Sequence, residues 1–85
     1  IWGGAEAKFY GLKGNLYLLM EAYPQAVELY TAATQLAPED PNFYFNRGVA
    51  KLFINQRSSA CDDFETSSRL GYTPSSDKLK YFCYY

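Results

Sequence analysis

Cys61 and Cys83 are the most chemically capable side chains in the sequence, and no histidine accompanies them. Without imidazole the commonest general base is missing, and so is the usual activator of a serine or cysteine nucleophile. The two cysteines stand 22 residues apart with no Cys-x2-Cys pair, so a structural zinc site does not fit. Two buried thiols acting as small hydrophobes satisfy the pattern. So does one disulfide, which would close a loop of about 22 residues and contribute about 3 kcal/mol in the chain-entropy model. A disulfide implies an oxidising compartment and hence an exported or periplasmic protein; reduced thiols imply the cytoplasm. A reactive thiol would lack a base.

The other polar clusters read as structural. Asp62, Asp63 and Glu65 fall at the opening of a helical segment, where the macrodipole favours negative charge. They offer too few convergent oxygens for calcium. Lys78 and Lys80 read as a solvated face, and the pairs Ser58-Ser59 and Ser75-Ser76 as helix caps. Gly3-Gly4 is a bare pair suited to a flexible leader, and no glycine-rich phosphate loop is present. Neither a metal nor a cofactor is expected. Eight basic residues against nine acidic ones give a net charge of −1, which excludes nucleic acid and an anionic membrane surface as main partners. The apolar run Leu16 to Met20 is far too short to span a bilayer. Apolar residues make up 48% and charged residues 20%, the balance of a folded chain, and the 19% aromatic content calls for a core or groove built from rings. The sequence begins at Ile1 and closes on Tyr81-Phe82-Cys83-Tyr84-Tyr85, which suggests a segment of a longer protein.

The elements that position these residues repeat. At an offset of 34, Phe9 falls on Phe43, Tyr10 on Tyr44, Gly14 on Gly48, Leu18 on Leu52, Ala26 on Ala60 and Leu36 on Leu70. Each unit reads as two helices. Phe9, Leu12, Leu16, Leu19 and Met20 recur at helical spacing, then Tyr23-Pro24 breaks the chain, then Ala26, Val27, Leu29, Tyr30, Ala33 and Leu36 resume the period. The second unit runs from Phe43 to Ile54 and from Ser58 to Leu70, with Gly71 as a stop. Ser75 opens a fifth helix. Gly14 and Gly48, each costly in a helix, point to close approach of the partner helix, with Ala26 and Ala60 opposite and Tyr30 and Phe64 filling the space beyond.

Tyr10-x2-Lys13-Gly14-x2-Tyr17, Ala26-x3-Tyr30 and Pro38, followed by Tyr44-x2-Arg47-Gly48 and Ala60-x3-Phe64, resemble the tetratricopeptide repeat pattern. Lys13 and Arg47 replace its leucine, Lys51 its tyrosine, and Tyr72 its second proline. The resemblance implies an all-α fold, a right-handed α-solenoid of antiparallel helix pairs with about five helices. Residues 1–6 are then a leader, 7–40 and 41–74 two repeats, and 75–85 a capping helix or the start of a further repeat. It also implies a non-catalytic scaffold or adaptor that binds a peptide or a partner helix of another protein in a concave groove. Projected onto this sequence, the groove consists of Lys8, Leu12, Asn15, Leu19, Asn42, Phe45, Asn46, Val49, Phe53 and Lys80, with Gly11, Leu18, Ser76, Leu79 and Cys83 beside them. Some members clamp a chaperone's C-terminal carboxylate with two asparagines and three basic residues. Asn15, Asn46 and Lys80 match that clamp, but Gly11 and Ser76 stand where basic residues are needed, and one lysine compensates a buried carboxylate poorly. The apolar groove side chains favour apolar anchors in the bound segment, although Phe45 and Phe53 are equally suited to packing on the next helix pair. The stretch around Ala60-Cys61-Asp62-Asp63-Phe64 and Leu70-Gly71 also looks like some exported bacterial repeat proteins. Two pairs and one helix bury little alone, so the apolar end favours self-association, and the alternative role is a structural subunit buried in a larger assembly.

Overall fold

The computed structural model describes residues 2–84. Its elements are α1 (Trp2–Leu19), α2 (Tyr23–Leu36), α3 (Pro41–Phe53), α4 (Arg57–Arg69) and α5 (Pro74–Lys78), the last running into a π-helical turn, Leu79–Cys83. Among the described residues there is no strand. The helices pack as two antiparallel pairs, α1 with α2 and α3 with α4, with α2 against α3 and the last helix against α4.

The chain reverses by one device used three times. Glu21 and Asn55, both at φ 61°, and Gly71 at φ 101° adopt the left-handed conformation just after a helix. The amide of the following residue then donates back along the helix: Ala22 to the Tyr17 carbonyl at 2.9 Å, Gln56 to Lys51 at 2.9 Å, and Tyr72 to Ser67 at 3.1 Å. Proline supplies the opposite ends, since Pro24, Pro41 and Pro74 occupy first turns, where a missing N–H costs nothing. The expected serine caps are not caps. Ser58 lies inside α4, which opens behind Gln56 without a side-chain cap. Ser75 lies inside α5 and is fully buried; its hydroxyl donates to Ser67 at 2.7 Å, and Ser67 donates to the Pro41 carbonyl at 2.9 Å. These hydroxyls tie α5, α4 and the start of α3 together. The first helix also departs from expectation at its start. It begins at Trp2, so Gly3 and Gly4 are helical rather than part of a flexible leader.

The core sits where aromatic rings meet glycines. Tyr30 and Phe64 are both 0% exposed. A methyl group at Gly14 would lie 2.7 Å from the Tyr30 ring, and one at Gly48 would lie 2.7 Å from the Phe64 ring. Ala26, Tyr30 and Ala50 form one cluster, flanked by Tyr17, Leu18 and Val27. Ala60, Phe64 and Leu79 form the other, flanked by Phe45, Val49, Leu52 and Cys83. The buried face of α1 is therefore small: Ala7, Gly11 and Gly14 at i, i+4 and i+7 are buried, and Leu18 is partly covered. The large residues that share the helical period, Phe9, Leu12, Leu16, Leu19 and Met20, are all exposed. Close helix approach selects small side chains, and the bulky ones are left outside.

The second pair holds ions inside. Asp63 is 4% exposed. It accepts from Arg47 Nη2 at 2.6 Å and Nε at 2.8 Å, a two-point pairing, and from Lys51 Nζ at 2.9 Å. Arg47 also donates to Thr31 Oγ1 at 3.1 Å, which joins α3 to the preceding pair. Asp63 is thus an interior counter-ion rather than part of an acidic patch opening α4, whose first turn carries no acidic residue.

Two substitution results are expected. Gly48→Ala gains about 1 kcal/mol of helix propensity but overlaps a buried ring that has nowhere to move, at a cost of about 1–3 kcal/mol. Its urea midpoint falls below wild type, whereas Gly4→Ala, with nothing within 4 Å, leaves the midpoint unchanged or raises it. Asp63→Asn leaves the buried Lys51 and the half-buried Arg47 without their carboxylate and lowers stability by about 3–5 kcal/mol. Replacing Arg47, Lys51 and Asp63 together with apolar residues recovers most of that loss in thermal melts.

Candidate functional site

The first helices carry a continuous face that the core uses only at Phe45 and Val49. Lys8, Leu12, Asn15 and Leu19 lie at i, i+4, i+7 and i+11 of α1, so they share one side of the helix. All four are exposed, Leu19 at 83% and Leu12 at 60%. Asn42, Phe45, Asn46, Val49 and Phe53 form the corresponding side of α3. One hydrogen bond joins the two faces: Asn46 Nδ2 donates to Asn15 Oδ1 at 3.3 Å.

The same oxygen of Asn15 accepts a hydrogen bond from the Tyr30 hydroxyl. Tyr30 therefore links the site to the core, with its ring buried against Gly14 and its hydroxyl ending beneath the asparagine pair. Burial pushes this phenol up to about 12 from its ordinary 10.0. With Oδ1 occupied twice, Asn15 has its amide N–H groups left for a ligand. Asn46 has spent one N–H and keeps its carbonyl.

The remaining residues of the face differ in their surroundings. Lys8 and Asn42 line an open depression of about 660 Å³ at the starts of α1 and α3, together with Glu39, Asp40 and Phe43. Asp40 caps α3 by accepting from the Asn42 amide at 3.0 Å. Val49 and Phe53 line a second cavity of about 340 Å³ with Leu52, Lys78 and Phe82. Phe45 is partly buried. Its ring lies 5.7 Å from Phe64 of α4 and 5.0 Å from Tyr72 in the turn after α4, so it packs within its own pair rather than onto the next. Phe53 does not pack onto the next pair. It stacks on Tyr23 of the preceding pair at 4.4 Å and stays 61% exposed. Lys80 is exposed on the π-helical turn and lines neither cavity.

Cys61 and Cys83 are joined by a disulfide, with Cα atoms 5.8 Å apart. It ties the start of α4 to the π-helical turn, where the Tyr84 amide donates to the Leu79 carbonyl at 3.0 Å. The open alternative of two buried thiols gives way to a cross-link.

Residues 14–52 match the family model described as TPR repeat. The chain is 33% identical over 66 residues to small glutamine-rich tetratricopeptide repeat-containing protein 2 of Mycosarcoma maydis, covering 78% of this chain and 19% of that protein. It is 32% identical over 56 residues to the heat-shock protein cognate co-chaperone sgt12 of Aspergillus fumigatus, covering 66% and 16%. Its fold matches the crystal structure of the Sgt2 TPR domain from Aspergillus fumigatus at a TM-score of 0.82 and 28% identity, over 87% of this chain and 50% of that one. The chain belongs to the tetratricopeptide repeat family. It spans about a fifth or less of the length of these curated relatives.

Within this tetratricopeptide repeat the carboxylate clamp lacks a physical basis at Gly11. The Phe43 side chain lies directly against that glycine, where any added side chain would collide with the ring. Position 11 therefore contributes packing, not a cation. Sequence reasoning missed the exposure of Phe9, Leu16 and Met20, because helical periodicity marks an apolar face without saying which of two faces is buried.

The raised Tyr30 pKa sets a pH dependence. The unfolded phenol ionises near 10 and the folded one near 12, so the unfolded state loses its proton first. The contribution is fully present below pH 10 and is lost as pH rises through about 12. Denaturant titrations across that window should show stability falling in the wild type and a flatter profile in Tyr30→Phe.

Proposed function

We propose that this tetratricopeptide repeat segment is a non-catalytic interaction module and that it binds a segment of a partner protein along the face of α1, α3 and the last helix. The observation that carries this reading is the asparagine pair between exposed apolar side chains. Asn15 and Asn46 present unspent amide groups, while Leu12, Leu19 and Phe53 stand exposed around them. Apolar anchors supply affinity and amides fix the main chain of an extended peptide. Asn42, Lys8 and Lys80 stand at the margins of this face, and Phe45 and Val49 support it from below.

The ligand we infer is a segment anchored by apolar side chains rather than a chain-terminal carboxylate, since Lys80 alone at the basic clamp positions and a ring-covered Gly11 suit such an anion badly. One relative is named a co-chaperone, which makes chaperone-associated proteins a reasonable first source of partner segments. The disulfide supports function in an oxidising compartment. The exposed Phe9, Leu16 and Met20 favour a second reading, in which α1 is covered by another subunit or repeat and the segment is structural.

Fluorescence anisotropy with a blocked peptide library separates the two readings. Under the groove reading, Leu12→Ala combined with Leu19→Ala leaves helicity intact and weakens the best peptide at least tenfold, about 1.4 kcal/mol. Phe9→Ser combined with Met20→Ser leaves the peptide affinity unchanged. The structural reading requires the reverse: unaltered peptide binding, and an assembly seen by sedimentation that only the Phe9 and Met20 changes disperse.

A further inference from the structure

The cavity of about 340 Å³ between the C-terminal half of α3 and the last helix has two features that the groove reading does not use. The first is its charge. Val49, Leu52, Phe53 and Phe82 make an apolar lining, and Lys78 stands among them with its ammonium 5.6 Å from the Phe82 ring centre. Among the described residues Lys78 pairs with no carboxylate. The second is its anchorage. Lys78 and Phe82 belong to a short last helix held by Leu79 in the core, by the Ser75 to Ser67 hydrogen bond and by the disulfide. Val49 and Leu52, on the opposite wall, pack against the same cluster as Cys83. The cross-link and the cavity therefore share their supporting residues.

We propose that this cavity seats one leucine- or phenylalanine-sized side chain of a partner peptide that carries a carboxylate beside it, and that the Cys61–Cys83 disulfide holds the seat in shape. The inference rests on the groove reading and specifies its C-terminal end. The apolar lining desolvates the anchor side chain, and the unpaired Lys78 supplies the complementary charge at its margin. Reduction by a dithiol transfers two electrons and two protons to the cystine, giving two thiols and the oxidised dithiol. The last helix then keeps Leu79 and the serine contacts Ser75 to Ser67 and Ser76 to Ser68 but loses its covalent tie, so the wall bearing Lys78 and Phe82 is correctly placed for a smaller fraction of the time. Affinity falls in proportion to that fraction.

The test titrates the whole chain with the blocked peptides acetyl-Ala-Phe-Glu-Ala-amide and acetyl-Ala-Phe-Lys-Ala-amide, following the Val49 and Leu52 methyl resonances. In the oxidised chain the glutamate peptide shifts both methyls and binds tighter than the lysine peptide. Reduction weakens it at least about fivefold with circular dichroism unchanged. Lys78→Glu, made in the oxidised chain, reverses the peptide preference by about threefold either way. Equal affinity in the oxidised and reduced chains overturns the role of the disulfide. An unaltered preference in Lys78→Glu overturns the role of the charge, even if the reduced chain unfolds. Shifts confined to Asn15 and Asn46 leave the groove reading standing and overturn the seat.

Discussion

The approach of each ring to a glycine governs the rest of this structure. Tyr30 lies on Gly14 and Phe64 on Gly48, at distances that leave no room for one more carbon. A helix pair packed this closely can accept only small residues on the first helix, and Ala7, Gly11 and Gly14 provide them. Phe9, Leu12, Leu16, Leu19 and Met20 are thereby turned away from the pair, while Tyr17 and Leu18 pack beside its core. The exposed apolar face, and with it the candidate groove, follows from the same constraint that builds the core.

The 34-residue offset was legible because it marks positions where size is critical, and Gly14, Ala26, Tyr30 and their partners are such positions. The buried face of α1 was not legible from hydrophobic periodicity. Phe9, Leu12, Leu16, Leu19 and Met20 make the stronger apolar pattern, yet the weaker pattern of alanine and glycine is the one buried. The ion set of Arg47, Lys51 and Asp63 was hidden for a related reason. Charged residues at helical spacing normally read as surface, and only a counter-ion on the facing helix makes their burial tolerable. Lys51 replacing the family's tyrosine was the available signal, because a cation at a packing position demands a carboxylate nearby. Glu21 carried no signal at all, since its left-handed conformation is imposed by the turn and runs against residue preference.

The cysteines show what spacing leaves open. A separation of 22 fits a cross-link or two unrelated thiols, and only the path of the last helix decides between them. That helix changes register at Leu79, where hydrogen bonding passes from the α to the π pattern. A π turn accommodates more residues per turn than an α turn. It therefore rotates the side chains that follow and sets where Cys83 points.

Tyr30 connects the two halves of the molecule's chemistry. Its ring contributes to the core and its hydroxyl orients Asn15, so the groove floor is set by a residue that cannot move without disturbing helix packing. Orientation achieved in this way adds little entropic cost on binding, because the side chain is already immobilised by burial. The opposite end of the face is built differently. Val49 and Leu52 are supported by a cluster whose outer member, Leu79, lies on the short last helix tied back through Cys83. One end of the candidate groove thus inherits rigidity from non-covalent packing and the other from a covalent link, so the two ends should respond to different perturbations: the first to loss of packing volume, the second to the redox state of its surroundings.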